Sequence, residues 1–151
     1  MAVVRESIAT GLTPERAFEL WGDIRRWPTF IDDFGHPEGV DPEWPATGSK
    51  LVWQSKPHGR GRVTQKVVAY EPPNRLQMLI FEDRLSGTQT ASFERGEDGR
   101  TIFELQLEYE LTKRGVLAVL TDALFIRRAL RDSLARTCRR FASEAMEEAS
   151  L

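Results

Sequence analysis

The sequence predicts an α+β protein, in which a curved antiparallel sheet of six or seven strands wraps around one long C-terminal helix. Two short helices follow the first strand. Three observations predict this. From Lys50 to Thr112 the chain alternates strand-like segments with tight-turn sequences, the pattern of an antiparallel meander. From Gly115 to about Glu148 apolar residues recur at helical spacing. A curved sheet must have its inner face covered, and a helix of that extent, about 45 Å long, crosses a whole sheet.

The elements follow in order. VVRESIAT (3–10) is short and rich in β-branched residues, so it reads as a strand. Thr13 offers an N-cap, Pro14 suits the first helical position, and Ala17, Phe18, Leu20, Trp21 and Ile24 form an apolar face. The helix is expected to run to Trp27, because the residue before Pro28 avoids helical dihedrals. A second short helical turn covers 28–34. The glycine- and proline-rich stretch 35–48 reads as a loop with room for a short edge strand. Strands are then expected at 50–56, 62–71, 75–83, 88–95 and 101–112, with a turn near Leu85-Ser86-Gly87 between the third and the fourth of these. In the last of these, Phe103, Leu105, Leu107, Tyr109 and Leu111 alternate with Glu104, Gln106, Glu108 and Glu110, giving one buried face and one wet face. The closing helix carries its stripe on Val116, Leu120, Ala123, Leu130, Leu134, Cys138, Phe141 and Ala145.

Composition bounds the function. A length of 151 residues with 40% hydrophobic content suits a single domain over 1–151. A net charge of −2 gives no bulk attraction to nucleic acid. The lone Cys138 excludes an internal disulfide and a cysteine-rich metal site. The N-terminus lacks the apolar run of a signal peptide. The longest apolar block, GVLAVLTDALFI (115–126), contains Asp122 and is too short to span a membrane. A cytoplasmic protein is expected, with no cofactor, no metal and no nucleic-acid partner. P-loop, dinucleotide, HExxH and CxxC signatures are all absent.

Three stretches carry a family resemblance: TPERAFELWGDIRRWPTF (13–30), the strand–Pro-Pro–strand hairpin VVAYEPPNRLQMLI (67–80), and the glycine-initiated last helix with Asp132-Ser133-Leu134. Together they resemble the START-like, or SRPBCC, superfamily with its Bet v 1-like helix-grip fold. That superfamily includes the polyketide cyclase/dehydrase and coenzyme Q-binding families. The resemblance implies a small hydrophobic ligand, such as a lipid, quinone or polyketide, held between sheet and C-terminal helix. It also admits a cofactor-independent cyclase/dehydrase or aromatase, and a protein- or ribosome-interaction module.

Alternation sketches the cavity wall for such a ligand. Phe103, Leu105, Leu107 and Tyr109 line one strand, Met78 and Ile80 another, and Trp53 and Phe93 their own strands. Leu120, Leu124 and Leu130 face them from the helix. Arg127 falls near the centre of the helix stripe. It either reaches water at an exposed end or anchors an anionic or carbonyl group of the ligand. Pro28 turns the chain so that Phe30, more than Trp27, is expected at the pocket mouth, with Arg25 and Arg26 on the wet side. An enzyme would have to draw on Tyr109, Arg127, Glu82 and Asp32. His36 and His58 read as solvated loop residues, and Cys138 as a buried core residue.

Overall fold

A computed structural model describes residues 1–112 and 116–151, and the side chains of all of these but 116–123. Strand β1 (Ala2–Thr10) leads into α1 (Pro14–Gly22), a 3-10 turn (Ile24–Arg26) and α2 (Trp27–Phe30). Strands β2 (Phe34–Val40), β3 (Lys50–Ser55), β4 (Arg62–Glu71), β5 (Arg75–Phe81), β6 (Leu85–Arg95) and β7 (Thr101–Leu111) follow, and α3 (Val116–Ala149) closes the chain. The seven strands form one antiparallel sheet in the order β1-β7-β6-β5-β4-β3-β2. The meander of six is thus completed by β1 on the far edge of β7. Helix α3 packs across β1 and β7 and against α2.

The local signals account for most boundaries. Thr13 caps α1, accepting the Arg16 N–H at 3.4 Å, and Pro14 opens the helix. The helix ends at Gly22, earlier than the expected Trp27. Asp23 adopts extended dihedrals there and accepts the Arg25 N–H at 3.1 Å, so it caps a new turn instead of continuing the old one. The stretch expected mainly as a loop holds the edge strand β2, which tolerates Pro37 because one of its sides is unpaired. Strand β6 starts at Leu85 and not at 88. Gly87, read as a turn residue, lies inside the ladder opposite Tyr109, where a side chain would run into the backbone of Glu108. The expected helix start at Gly115 lies outside the described residues.

The alternation of β7 appears directly as burial, with Phe103, Leu105, Leu107 and Tyr109 inside and the intervening residues more open. Leu130, Leu134, Cys138, Phe141 and Ala145 carry the buried stripe of α3. At one end, Trp21, Trp27, Phe30, Phe103 and Phe141 form a continuous aromatic cluster. Trp21 stacks on Phe30 with centroids 5.5 Å apart, and Phe103 meets Phe141 at 4.5 Å. The Trp27 indole N–H donates to the Trp21 carbonyl at 2.7 Å. Arg26, expected on the wet side, instead bridges to Glu144 at 2.7 Å and Glu148 at 2.9 Å on α3. The corner 19–30 is therefore fastened to the last helix by both aromatic packing and ion pairs.

Candidate functional site

The site forms where three segments meet: the Asp32-Asp33 corner after α2, the β3–β4 turn at 56–61, and the middle of α3. Asp33 has a positive φ of 67°, and its backbone carbonyl accepts the Lys56 N–H at 2.9 Å. Its carboxylate accepts the Arg60 N–H at 3.1 Å. Gly59 lies directly against that carboxylate, so a side chain there would displace it. These contacts hold the turn over the corner and bring Lys56, His58 and Arg60 to one rim.

Asp32 binds the corner to α3. Its N–H donates to Thr137 Oγ1 at 2.9 Å, and its carboxylate accepts from Ser133 Oγ at 2.7 Å, from Arg136 twice at 3.0 Å, and from Arg140 at 3.2 Å. Burial acts to raise the Asp32 pKa, but the Arg136 and Ser133 hydrogen bonds and the charges of Arg136 and Arg140 outweigh it and hold the carboxyl below its ordinary value. Asp32 is thus ionised and saturated with donors near neutral pH.

A second charged group lies opposite. The Glu82 side chain is 0% exposed and accepts from Arg60 Nε at 2.6 Å and from Arg84 Nε at 3.2 Å. The Arg60 guanidinium also lies 5.2 Å from the centre of the Trp53 ring, in cation–π range. Next to it runs a chain of buried amides. Trp53 Nε1 donates to Gln65 Oε1 at 2.8 Å, and Gln65 Nε2 donates to Gln89 Oε1 at 3.0 Å.

Two spaces adjoin these groups. An open cleft of about 410 Å³ is lined by Asp32, Asp33, Lys56, His58, Gly59, Arg60, Arg84, Ala129, Leu130, Ser133, Arg136 and Arg140. A smaller void of about 30 Å³ lies inside, between Trp27, Ile31, Trp53, Ile80, Leu105 and Leu134, with Arg60, Gln65, Gln89, Ser133 and Thr137. Arg60 and Ser133 line both. The void has room for about one water molecule and a wall that is apolar on one side and polar on the other.

The expected wall residues divide accordingly. Trp53, Ile80 and Leu105 border the void, and Leu130 borders the cleft. Met78, Phe93, Phe103, Leu107 and Tyr109 are buried core residues that border neither. Phe30 is 0% exposed in the aromatic cluster, so it is part of the core and not a pocket rim. Leu124 is 75% exposed and faces solvent instead of the sheet. Arg127 is half-buried, its side chain makes no hydrogen bond or ion pair among the described residues, and it lines neither space. The Leu120 side chain lies outside the described residues.

Sequence reasoning missed Arg60, Gln65, Gln89 and Thr137. Gln65 carried a usable signal, because it interrupts the inward register of Val63 and Val67 with an amide. Arg60 carried none, being one of several basic residues in a turn. Among the described residues, no group of three or more His, Cys, Asp or Glu could hold a metal ion, and no helix is long and apolar enough to cross a membrane.

A family model described as polyketide cyclase / dehydrase and lipid transport matches residues 1–145. No curated protein sequence matches the chain significantly. Solved structures do. SA2116, a protein of unknown function from Staphylococcus aureus, is 14% identical with a TM-score of 0.72, covering 99% of this chain and 96% of that one. Protein CV1439 from Chromobacterium violaceum is 11% identical with a TM-score of 0.68, covering 95% and 96%. DynU16, a protein in the dynemicin biosynthetic locus, is 16% identical with a TM-score of 0.59, covering 91% of this chain and 46% of that one. At such identities these likenesses show the fold alone.

Proposed function

Since the chain belongs to the polyketide cyclase / dehydrase and lipid transport family, we propose that it binds a small molecule with an apolar body, of the lipid, quinone or polyketide kind, between the sheet and α3. The observation that carries this reading is that cleft and void adjoin, with Arg60 and Ser133 in the wall of each. Behind the polar cleft lies an apolar wall of Trp53, Ile80, Leu105 and Leu134, and polar groups beside apolar lining are the usual anatomy of a small-molecule site. The void is small, so an entering body must push neighbouring side chains or the helix outward. Leu124 and Phe125, each 75% exposed, leave the same helix with apolar surface that a bound ligand or a tightened helix would cover.

Binding without turnover is favoured over cyclase chemistry by the state of the acids. General acid–base work needs a group within hydrogen-bond reach of the ligand and not already engaged elsewhere. Asp32 is held ionised by Arg136 and Ser133. Glu82 is enclosed by Arg60 and Arg84. Tyr109 is buried away from both spaces.

Native mass spectrometry of the purified protein, followed by uptake of an apolar fluorescent probe, tests the proposal. A co-purifying organic molecule or saturable uptake is expected, with uptake reduced by Ile80→Phe, which fills the void. An empty protein that takes up no probe overturns the reading.

A further inference from the structure

We infer that the ligand is an anionic amphiphile, an apolar chain bearing one carboxylate or phosphate group, whose head is gripped by the guanidinium of Arg60 at the junction of cleft and void. This rests on the binding function proposed above and adds the chemical class of the head group.

The Arg60 guanidinium is held on one edge only. Its Nε donates to Glu82 and its face lies over Trp53. Neither Nη nitrogen makes a hydrogen bond among the described residues, although the side chain is only 17% exposed. A guanidinium carries five donor hydrogens in a fixed fork, and the Arg60 Nη atoms are not among the buried polar atoms left without a partner, so they are open to the cleft that the side chain lines. Glu82 fixes the orientation of the fork, and the Nη atoms remain for an external acceptor. Two Nη nitrogens match the paired oxygens of a carboxylate or phosphate better than they match one neutral carbonyl.

The surroundings select the same ligand class. Lys56, Arg84, Arg136 and Arg140 line the cleft with Arg60, and Asp32 and Asp33 are the carboxylates of that lining, while Glu82, Asp83 and Asp132 stand behind it. Cations thus outnumber carboxylates on the lining itself, which favours an anion there. Arg84, like Arg60, meets Glu82 through Nε, and Lys56 has no ion pair among the described residues. An apolar tail distinguishes this ligand from a free small anion. The void beside Arg60 is walled by Trp53, Ile80, Leu105 and Leu134, and a bare anion would leave that wall unused.

The test is titration of the full chain with dodecanoate, dodecyl phosphate and 1-dodecanol below their micelle thresholds, read by the intrinsic fluorescence of its tryptophans, of which Trp53 and Trp27 border the void. At least one of the two anions is expected to bind about tenfold more tightly than the alcohol, the effect of one charge-assisted pair of hydrogen bonds. Which anion does so separates a carboxylate site from a phosphate site. The double substitution Arg60→Gln/Glu82→Gln removes the fork without leaving Glu82 buried and unpaired, and it keeps the net charge. It is expected to abolish the preference for the anion while preserving the affinity for dodecanol. Arg100→Gln, far from the cleft, is expected to change nothing. Equal binding of all three probes, or an anion preference that survives the double substitution, overturns the head-group assignment and leaves apolar binding standing. Failure of all three to bind overturns both.

Discussion

Asp32 and Arg136 face each other as a two-pronged pair, with Nε to Oδ1 and Nη2 to Oδ2 both at 3.0 Å. The pair joins the corner after α2 to the middle of α3 and forms one wall of the cleft. The Asp32 side chain is largely shielded, and Ser133, Thr137 and Arg140 complete its surroundings.

Replacing Asp32 with Asn should weaken the fold by about 2 kcal/mol at pH 7, the scale of losing hydrogen bonds to a charged group. The pH dependence has a definite sign. The folded-state pKa of Asp32 is lowered, so its contribution is full above the unfolded-state value of about 3.9 and is lost as pH falls through the lowered value. Urea unfolding of both proteins from pH 7 to pH 2 should show the gap between them closing at the acid end. A gap that stays constant across that range would mean that the pair is not what Asn disrupts.

Phe30→Ala should be severely destabilising and should not open a pocket. The ring is fully buried between Trp21 and Phe141, and deletion of such a ring leaves a cavity in a rigid cluster. A loss of about 3–5 kcal/mol is expected, measurable as a large drop in thermal midpoint. A loss under about 1 kcal/mol would show that the corner collapses easily and is less tightly packed than its geometry indicates.

Gly87→Ala should be worse than Gly59→Ala. At Gly87 a new methyl meets the backbone of Glu108 and lies 2.9 Å from Tyr109 Cα, so β6 must move from β7. At Gly59 it meets the end of the Asp33 side chain, which can rotate away. About 1–3 kcal/mol is expected for the first, the range of overpacking in a tight site, and less for the second. Gly59→Ala should instead change binding at the cleft, because it displaces the carboxylate that holds the Arg60 backbone.

Cys138 should resist thiol reagents in the folded protein. Burial and the nearby Glu6 charge push its pKa up to about 12, so almost no thiolate exists at neutral pH. Reaction with a disulfide reagent should be slow in buffer and complete in denaturant. Rapid labelling of the native protein would place α3 in frequent local opening.

The strand faces were legible because side-chain direction in a strand depends on position alone. Leu76, Met78 and Ile80, like Phe103 to Tyr109, are buried as their alternation predicts. The capped start of α1 was equally local, written in Thr13 and Pro14. Its end was not, because Asp23 can either extend the helix or cap the next turn, and both choices suit the same residues. Gly87 was misread for a related reason. A glycine marks a need for space, and the sequence does not say whether a turn or a neighbouring strand creates that need.

The candidate site depended still more on distant partners. Arg127 drew attention because it interrupts an apolar stripe, yet it lines neither the cleft nor the void, while Arg60, unremarkable in its turn, is held between Glu82 and Trp53. The sequence by itself determined the order of elements, their inward faces and the family. Only the tertiary structure decided that Phe30 belongs to the core, and that Arg60 stands where a cleft meets a void. Periodicity reports which way a residue points, a property of its own backbone. Whether it points at packed rings, an ion partner or open space is set by residues tens of positions away in the chain.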